Sequence, residues 1–182
     1  MSIEVNGRRI ERVRRFTYLG RVMTQNDDST TAITTQLERA RKKWGSIVRI
    51  LKNERTEPEI MARFYITVVM AVLLYGAESW TISKLNMNRL NSFHNRAVRY
   101  LTRSHIKKLD DGRWEYPDHE KLREKCKVQE MRTYIERRRK TLRTFLEKER
   151  PKLWEEMQDT RAPARDVKKI LWWEQPVPVE NE

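Results

Sequence analysis

The stretch Phe64-Tyr65-Ile66-Thr67-Val68-Val69-Met70-Ala71-Val72-Leu73-Leu74-Tyr75 is apolar on nearly every side when wound into a helix. A helix that is hydrophobic all round belongs in an interior, so this segment reads as the central core helix. Just upstream, Thr56-Glu57-Pro58-Glu59 has the form of a capping box with proline in the first turn. Gly76 suits the far end. The longest apolar run, Val68 to Tyr75, is far short of the ~20 residues that a membrane span needs.

Amphipathic helices flank this centre on both sides. Ile33, Leu37, Ala40, Trp44, Ile47 and Leu51 alternate spacings of four and three, which predicts a helix from about Thr30 to Lys52. Ser83 reads as the N-cap of a third helix carrying Leu85, Leu90, Phe93, Ala97, Val98 and Leu101. Residues 104–117 form a connector. Asp118 caps a fourth helix whose stripe is Leu122, Cys126, Met131, Tyr134 or Ile135, Leu142 and Phe145, ended by Pro151. A short amphipathic piece is expected over 163–173, and disorder over 175–182.

At the other end, Ile3-Glu4-Val5, Asn6-Gly7 and Arg8-Arg9-Ile10 have the pattern of a hairpin with a tight turn. Phe16-Thr17-Tyr18-Leu19-Gly20 supplies a third strand, and so small a sheet needs a cover. The expected fold is mainly α, with a small N-terminal β-hairpin/strand element packed on a three- to four-helix bundle. The expected organisation is a β element over 1–24, a helical bundle over 25–150, and a C-terminal helical extension with a disordered tail over 151–182.

Charge points to the class of partner. The 39 Lys and Arg outweigh the 26 Asp and Glu, for a formal charge of +13. An excess of that size favours a polyanion, because each phosphate contact releases a counterion. The plainer alternative is a solvated basic surface without a specific ligand. A membrane surface fits less well, since no polybasic helix has a cleanly apolar opposite face. Cys126 is the only cysteine, which excludes an internal disulfide and a multi-cysteine zinc site and suits an intracellular, reducing compartment. Nuclear and cytoplasmic locations are not distinguished.

No catalytic centre is recognisable. Asp27-Asp28 and Asp110-Asp111 invite comparison with two-metal sites, whose carboxylates converge on ions about 4 Å apart. The first pair sits in a wholly polar stretch before a helix and reads as helix-start chemistry. The second, followed by Gly112, reads as a turn. His94, His105 and His119 have no second ligand at a metal-binding spacing, and His94 reads as a packing or polar contact. Cys126 lies on an apolar stripe and reads as a small core residue. The expectation is no enzyme activity, no metal, no cofactor and no small-molecule substrate.

The basic residues cluster in three places. Arg8, Arg9, Arg12, Arg14, Arg15 and Arg21 fall near the N-terminus. Arg41, Lys42 and Lys43 lie on the first helix, and Arg137, Arg138, Arg139, Lys140 and Arg143 on the fourth. Arginine suits bidentate phosphate contact. Consecutive basic residues wrap around a helix, however, and pairs such as Glu136 with Lys140 account for some of the charge. Trp44 and Trp80 read as core. Trp114, Trp154, Trp172 and Trp173 read as packing for connector and tail, with base stacking the alternative.

A longer order of residues carries a resemblance. Arg15-Phe16-Thr17-Tyr18-Leu19-Gly20-Arg21 is followed by Ile33 with Ala40-Arg41, then Val72-Leu73-Leu74-Tyr75-Gly76-Ala77-Glu78-Ser79-Trp80, then Leu90-Asn91-Ser92-Phe93-His94 and Arg99-Tyr100-Leu101. Over roughly residues 3–150 this resembles the C-terminal part of non-LTR (LINE-type) retrotransposon reverse transcriptases, where a palm-end strand gives way to a helical thumb. The fingers and the palm hairpin bearing the catalytic aspartates have no counterpart here. The resemblance therefore implies a thumb-like fragment without polymerase activity of its own. It places Tyr18 and Gly20 near a primer strand and implies thumb helices that track a duplex through its backbone. It also implies a structural role for Leu74 to Trp80, with Glu78 pairing with an arginine of the first helix.

The expected function is backbone-directed binding of RNA, DNA or a hybrid duplex. The candidate contacts are Arg8, Arg9, Arg14, Arg15, Tyr18, Gly20, Arg41, Lys42, Lys43, Arg137, Arg138, Arg139 and Arg143. One alternative is a protein-interaction scaffold that docks on a palm-bearing polymerase chain or on itself. Another is a small metal-dependent nuclease using Asp27, Asp28 or His94. An element remnant under no functional demand is a third.

Overall fold

The structure, a computed structural model, describes residues 3–5, 8–10, 13–24, 29–51, 56–159 and 175–178. It is mainly helical, with a small β-hairpin packed against the first helix. β1 (Ile3–Val5) pairs antiparallel with β2 (Arg8–Ile10). The third strand does not join them. β3 (Arg15–Tyr18) makes a second hairpin with β4 (Arg21–Thr24), with Phe16 opposite Met23 and Thr17 opposite Val22.

The connecting residues explain this second hairpin. Leu19 and Gly20 both take positive φ, 47° and 81°, as a two-residue turn matched to the strand twist requires. Leucine rarely adopts that backbone. Here the tertiary structure holds it: the Tyr75 hydroxyl donates to the Leu19 carbonyl at 2.6 Å, and the Arg39 guanidinium to the Gly20 carbonyl at 3.1 Å. Val22 is buried, and β4 lies against the first helix.

That helix, α1 (Ser29–Leu51), matches its periodicity. Ile33, Leu37 and Ala40 are fully buried, and Trp44 and Ile47 pack on the core. α2 (Pro58–Phe64) starts later than the Thr56 capping box implies. Glu57 is the N-cap, with no side-chain cap bond, because a residue preceding proline is pushed out of the helical region. Its carbonyl accepts from the amides of Ile60 and Met61 at 3.0 and 3.1 Å.

A π-helical segment, Tyr65–Met70, leads into α3 (Ala71–Leu73). The apolar run is buried on one side only. Tyr65, Val69, Met70, Leu73 and Leu74 are inside, while Phe64 and Tyr75 stay 56% and 48% exposed. The first helix packs along the inner side, with His94 of the next long helix against Tyr65, and no described helix packs on the outer one. Gly76, with φ of 75°, closes the run into a 3-10 turn, Ala77–Ser79, ahead of the fully buried Trp80.

α4 (Lys84–Leu101) is capped as expected, Ser83 Oγ accepting from the Asn86 amide at 3.3 Å. Leu85 leaves the predicted stripe and is exposed. In the connector, β5 (Lys107–Lys108) and β6 (Trp114–Glu115) flank the Asp110–Gly112 turn. The predicted fourth helix is two helices, α5 (His119–Cys126) and α6 (Met131–Glu149). Lys127, with φ of 54°, ends α5 in the left-handed conformation. The Val128 amide reaches back to the Arg123 carbonyl at 2.9 Å, and the Val128 side chain buries in the core. Asp118 caps α5 by accepting from the Glu120 and Lys121 amides. Pro151 opens a further helix, α7 (Pro151–Asp159). Leu142 is half-buried and Phe145 exposed, so the stripe of α6 is narrower than its sequence suggests.

The tail departs from the expected disorder at Gln175–Pro178. Val177 is buried in the main core. The Asn6-Gly7 turn, Asp27-Asp28, the 163–173 piece, Trp172 and Trp173 lie outside the described residues. Among the described residues no helix is long and apolar enough to cross a membrane.

Candidate nucleic-acid interface

The basic residues expected to act together are dispersed by the fold. Arg14, Arg15 and Tyr18 are exposed on the β3–β4 hairpin, and Gly20 forms its turn. Arg41, Lys42 and Lys43 are exposed on α1. Arg8 and Arg9 lie on β2, and their side chains are outside the described residues.

Within the α6 cluster Arg139 is turned inward, while Arg137, Lys140 and Arg143 stay exposed. Arg139 is buried, and its guanidinium donates to the carbonyls of Trp80 at 2.6 Å and Gln175 at 2.8 Å. It clamps the end of the 3-10 turn and the C-terminal segment onto α6. That corrects its assignment as a phosphate contact. Arg137 donates to Gln129 Oε1 at 2.6 Å, and Arg143 pairs with Glu147 at 2.7 Å while lying over the Trp154 ring. Arg132 pairs with Glu136.

A different set of arginines comes together along α4. α1 and α4 lie side by side and run in the same direction. The Asn86 side-chain Nδ2 donates to Thr30 Oγ1 near their starts, and the Tyr100 ring meets Trp44 edge-on near their ends. One groove between them is lined by Arg41 from α1 and by Arg89, Ser92 and Arg96 from α4. A second, sharing Arg96, is lined by Arg99, Tyr100 and Arg103. Positions 89, 92, 96 and 99 recur at intervals of three and four, so they form one face of α4, and Arg103, with φ of 54° just past the helix end, lines the second groove. The path from Arg89 to Arg99 rises about 15 Å at 1.5 Å per residue, or roughly four base steps at 3.4 Å.

Electrostatics favours this face. α4 contains Lys84, Arg89, Arg96 and Arg99 and no acidic residue. Among the described residues neither Arg96 nor Arg99 has an ion-pair partner. Among the described residues, ion pairs place Glu59, Asp111, Asp118, Glu130, Glu136 and Glu147 on α2, the connector, and α5 to α6. Sequence reading passed over α4 because its arginines are single. The detectable signal was the absence of Asp and Glu across 18 residues.

Beneath this face is a buried polar chain. His94 Nε2 lies 2.9 Å from the Gln129 carbonyl, and Nδ1 lies 2.9 Å from the Tyr65 hydroxyl. A carbonyl can only accept, so Nε2 carries the proton and Nδ1 accepts from Tyr65. Burial pulls the His94 pKa down to about 4, and burial raises that of Tyr65. The imidazole stays neutral and ties α4 to the π-helical segment and to the α5–α6 break. Burial also pushes the Cys126 thiol up to about 11, as befits a core residue.

Glu78 makes no ion pair with α1 among the described residues. Its Oε2 is buried with no hydrogen-bond partner, and Arg21 instead donates to the Ser79 carbonyl at 3.2 Å. A separate feature is apolar: Phe16, Tyr18, Leu19 and Met23 on the hairpin, with Ile60, Phe64 and Tyr75 on the helical run, are all exposed. The Tyr75–Leu19 hydrogen bond joins the two groups. No family model, curated protein or solved structure matches this chain.

Proposed function

We propose that the protein binds nucleic acid through its phosphate backbone, along the α1–α4 face, as a thumb-like fragment without catalysis of its own. The observation that carries this reading is the arginine line of α4, which has no acidic residue on its own helix. Arg41, Arg89, Arg96, Arg99 and Arg103 would supply charge rather than base reading. The resemblance of Leu73 to Trp80 to a reverse-transcriptase thumb, and of Tyr18-Leu19-Gly20 to the palm end that precedes it, supports the same partner. A labelled duplex titrated at several salt concentrations tests it. Five phosphate contacts give a log–log salt slope of about −4.5. Absence of binding at low salt sinks the reading.

The exposed apolar strip supports a second reading, a docking surface for a palm-bearing polymerase chain or a second copy of this one. Sedimentation velocity across a hundredfold range of concentration separates self-association from monomer. Self-association through this strip should persist at high salt, where phosphate binding is lost.

A further inference from the structure

We propose that the groove at the C-terminal end of the α1–α4 face is a pocket for a single nucleotide unit, with the base on its floor and the phosphate on its rim. The proposal rests on the phosphate-backbone reading and adds a site to it. The pocket has a volume of about 570 Å³, within the usual range for small-ligand sites. Its floor is apolar: Leu51 and Met61 are buried members of the main core, and Ile106 closes one side. Its rim carries Arg96, Arg99 and Arg103, together with Ser104 and His105, and among the described residues no acidic one lines it.

These two halves demand a ligand with a flat apolar body and an attached anion. A free phosphate satisfies only the rim and a nucleoside only the floor. The planar guanidinium fork of arginine matches phosphate oxygens two at a time. The half-exposed Tyr100 ring, braced edge-on by Trp44 at 5.7 Å between centroids, offers a fixed aromatic surface to a base. Position favours a nucleotide over an acidic peptide. Arg96 lines both this pocket and the groove beside Arg41 and Arg89, so a strand followed by the groove arrives at the pocket mouth. An unpaired nucleotide could turn in there while its neighbours stay on the arginine line.

Ligand-observed NMR on the full chain, with AMP, adenosine and inorganic phosphate as separate probes, tests the pocket. AMP should bind about tenfold more tightly than either half, as expected when stacking and charge add. Ser104→Trp, which fills the pocket without removing a charge, should abolish AMP binding. A thermal melt verifies that this variant is folded, and Arg99→Gln provides a second, expected to weaken AMP but not adenosine. Equal affinity for AMP and phosphate overturns the proposal, as does AMP binding that survives Ser104→Trp in a folded protein. Capture of an acetylated Glu-Phe-Glu peptide in preference to AMP also overturns it. The duplex titration keeps the two claims apart: duplex binding without AMP binding removes the pocket alone, whereas loss of both removes the backbone reading as well.

Discussion

α4 and α6 are both arginine-bearing helices, yet they use their charge in opposite ways. α6 has the conspicuous run, Arg137-Arg138-Arg139-Lys140, with Glu136 directly before it and Glu147 two turns beyond. Its guanidinium groups go to Gln129, to Glu136, to Glu147 and to two backbone carbonyls. α4 has scattered arginines and no carboxylate, and its Arg96 and Arg99 face solvent-lined grooves. Charge density in a sequence is therefore a poor guide to charge available to a ligand. A helix free of the opposite sign is the better one.

The comparison can be broken most forcefully at Arg139. Replacing it with Met strands the Trp80 and Gln175 carbonyls and frees the C-terminal segment. Charge-assisted hydrogen bonds of this kind are worth about 1.5–3 kcal/mol each, so chemical denaturation should show a loss of about 3 kcal/mol. Duplex affinity of the folded variant should not change. A large loss of binding with unchanged stability would restore α6 to the interface.

A similar magnitude is expected from acid, through the layer under α4. The unfolded chain protonates a histidine near pH 6.5, whereas folded His94 stays neutral down to about 4. Stability supplied by the neutral imidazole is thus complete above about 6.5 and falls as the pH drops toward 4. The full drop is about 3 kcal/mol. Denaturant midpoints measured across that window should slope downward, and His94→Gln should flatten that part of the slope. An unchanged slope in the variant would assign the acid sensitivity elsewhere.

Smaller effects sharpen the contrast on the surface itself. Arg96→Gln with Arg99→Gln should reduce the salt slope of duplex binding by about 2 and leave the melting temperature nearly unchanged. Arg138→Gln with Lys140→Gln on α6 should change affinity by less than about twofold, since neither stands on the proposed face. Reversal of that order in anisotropy titrations would exchange the roles of the two helices.

Much of the fold was legible in residue spacing. The α1 stripe, the Ser83 and Asp118 caps, the Gly76 stop and the buried Trp80 all follow from local rules. Such rules weaken where a distant partner decides. Leu19 adopts its turn because Tyr75, 56 residues away, holds its carbonyl. Val128 breaks the predicted fourth helix because its side chain finds the core once Lys127 turns the chain. Among the described elements, neighbours pack on one side of the Phe64–Tyr75 run only, and Phe64 and Tyr75 stay exposed on the other.

The candidate site divides along the same line. By itself the sequence determined a basic, mainly helical chain whose excess charge suits a polyanion, because composition and periodicity are local sums. Only the tertiary structure decided which arginines are available. Packing α1 beside α4 aligns single arginines into one face, while packing α6 against Trp80 and the C-terminal segment takes Arg139 out of its densest cluster to satisfy two backbone carbonyls. A guanidinium either reaches solvent or satisfies an interior acceptor, and that choice depends on neighbours that the chain brings together only when it folds.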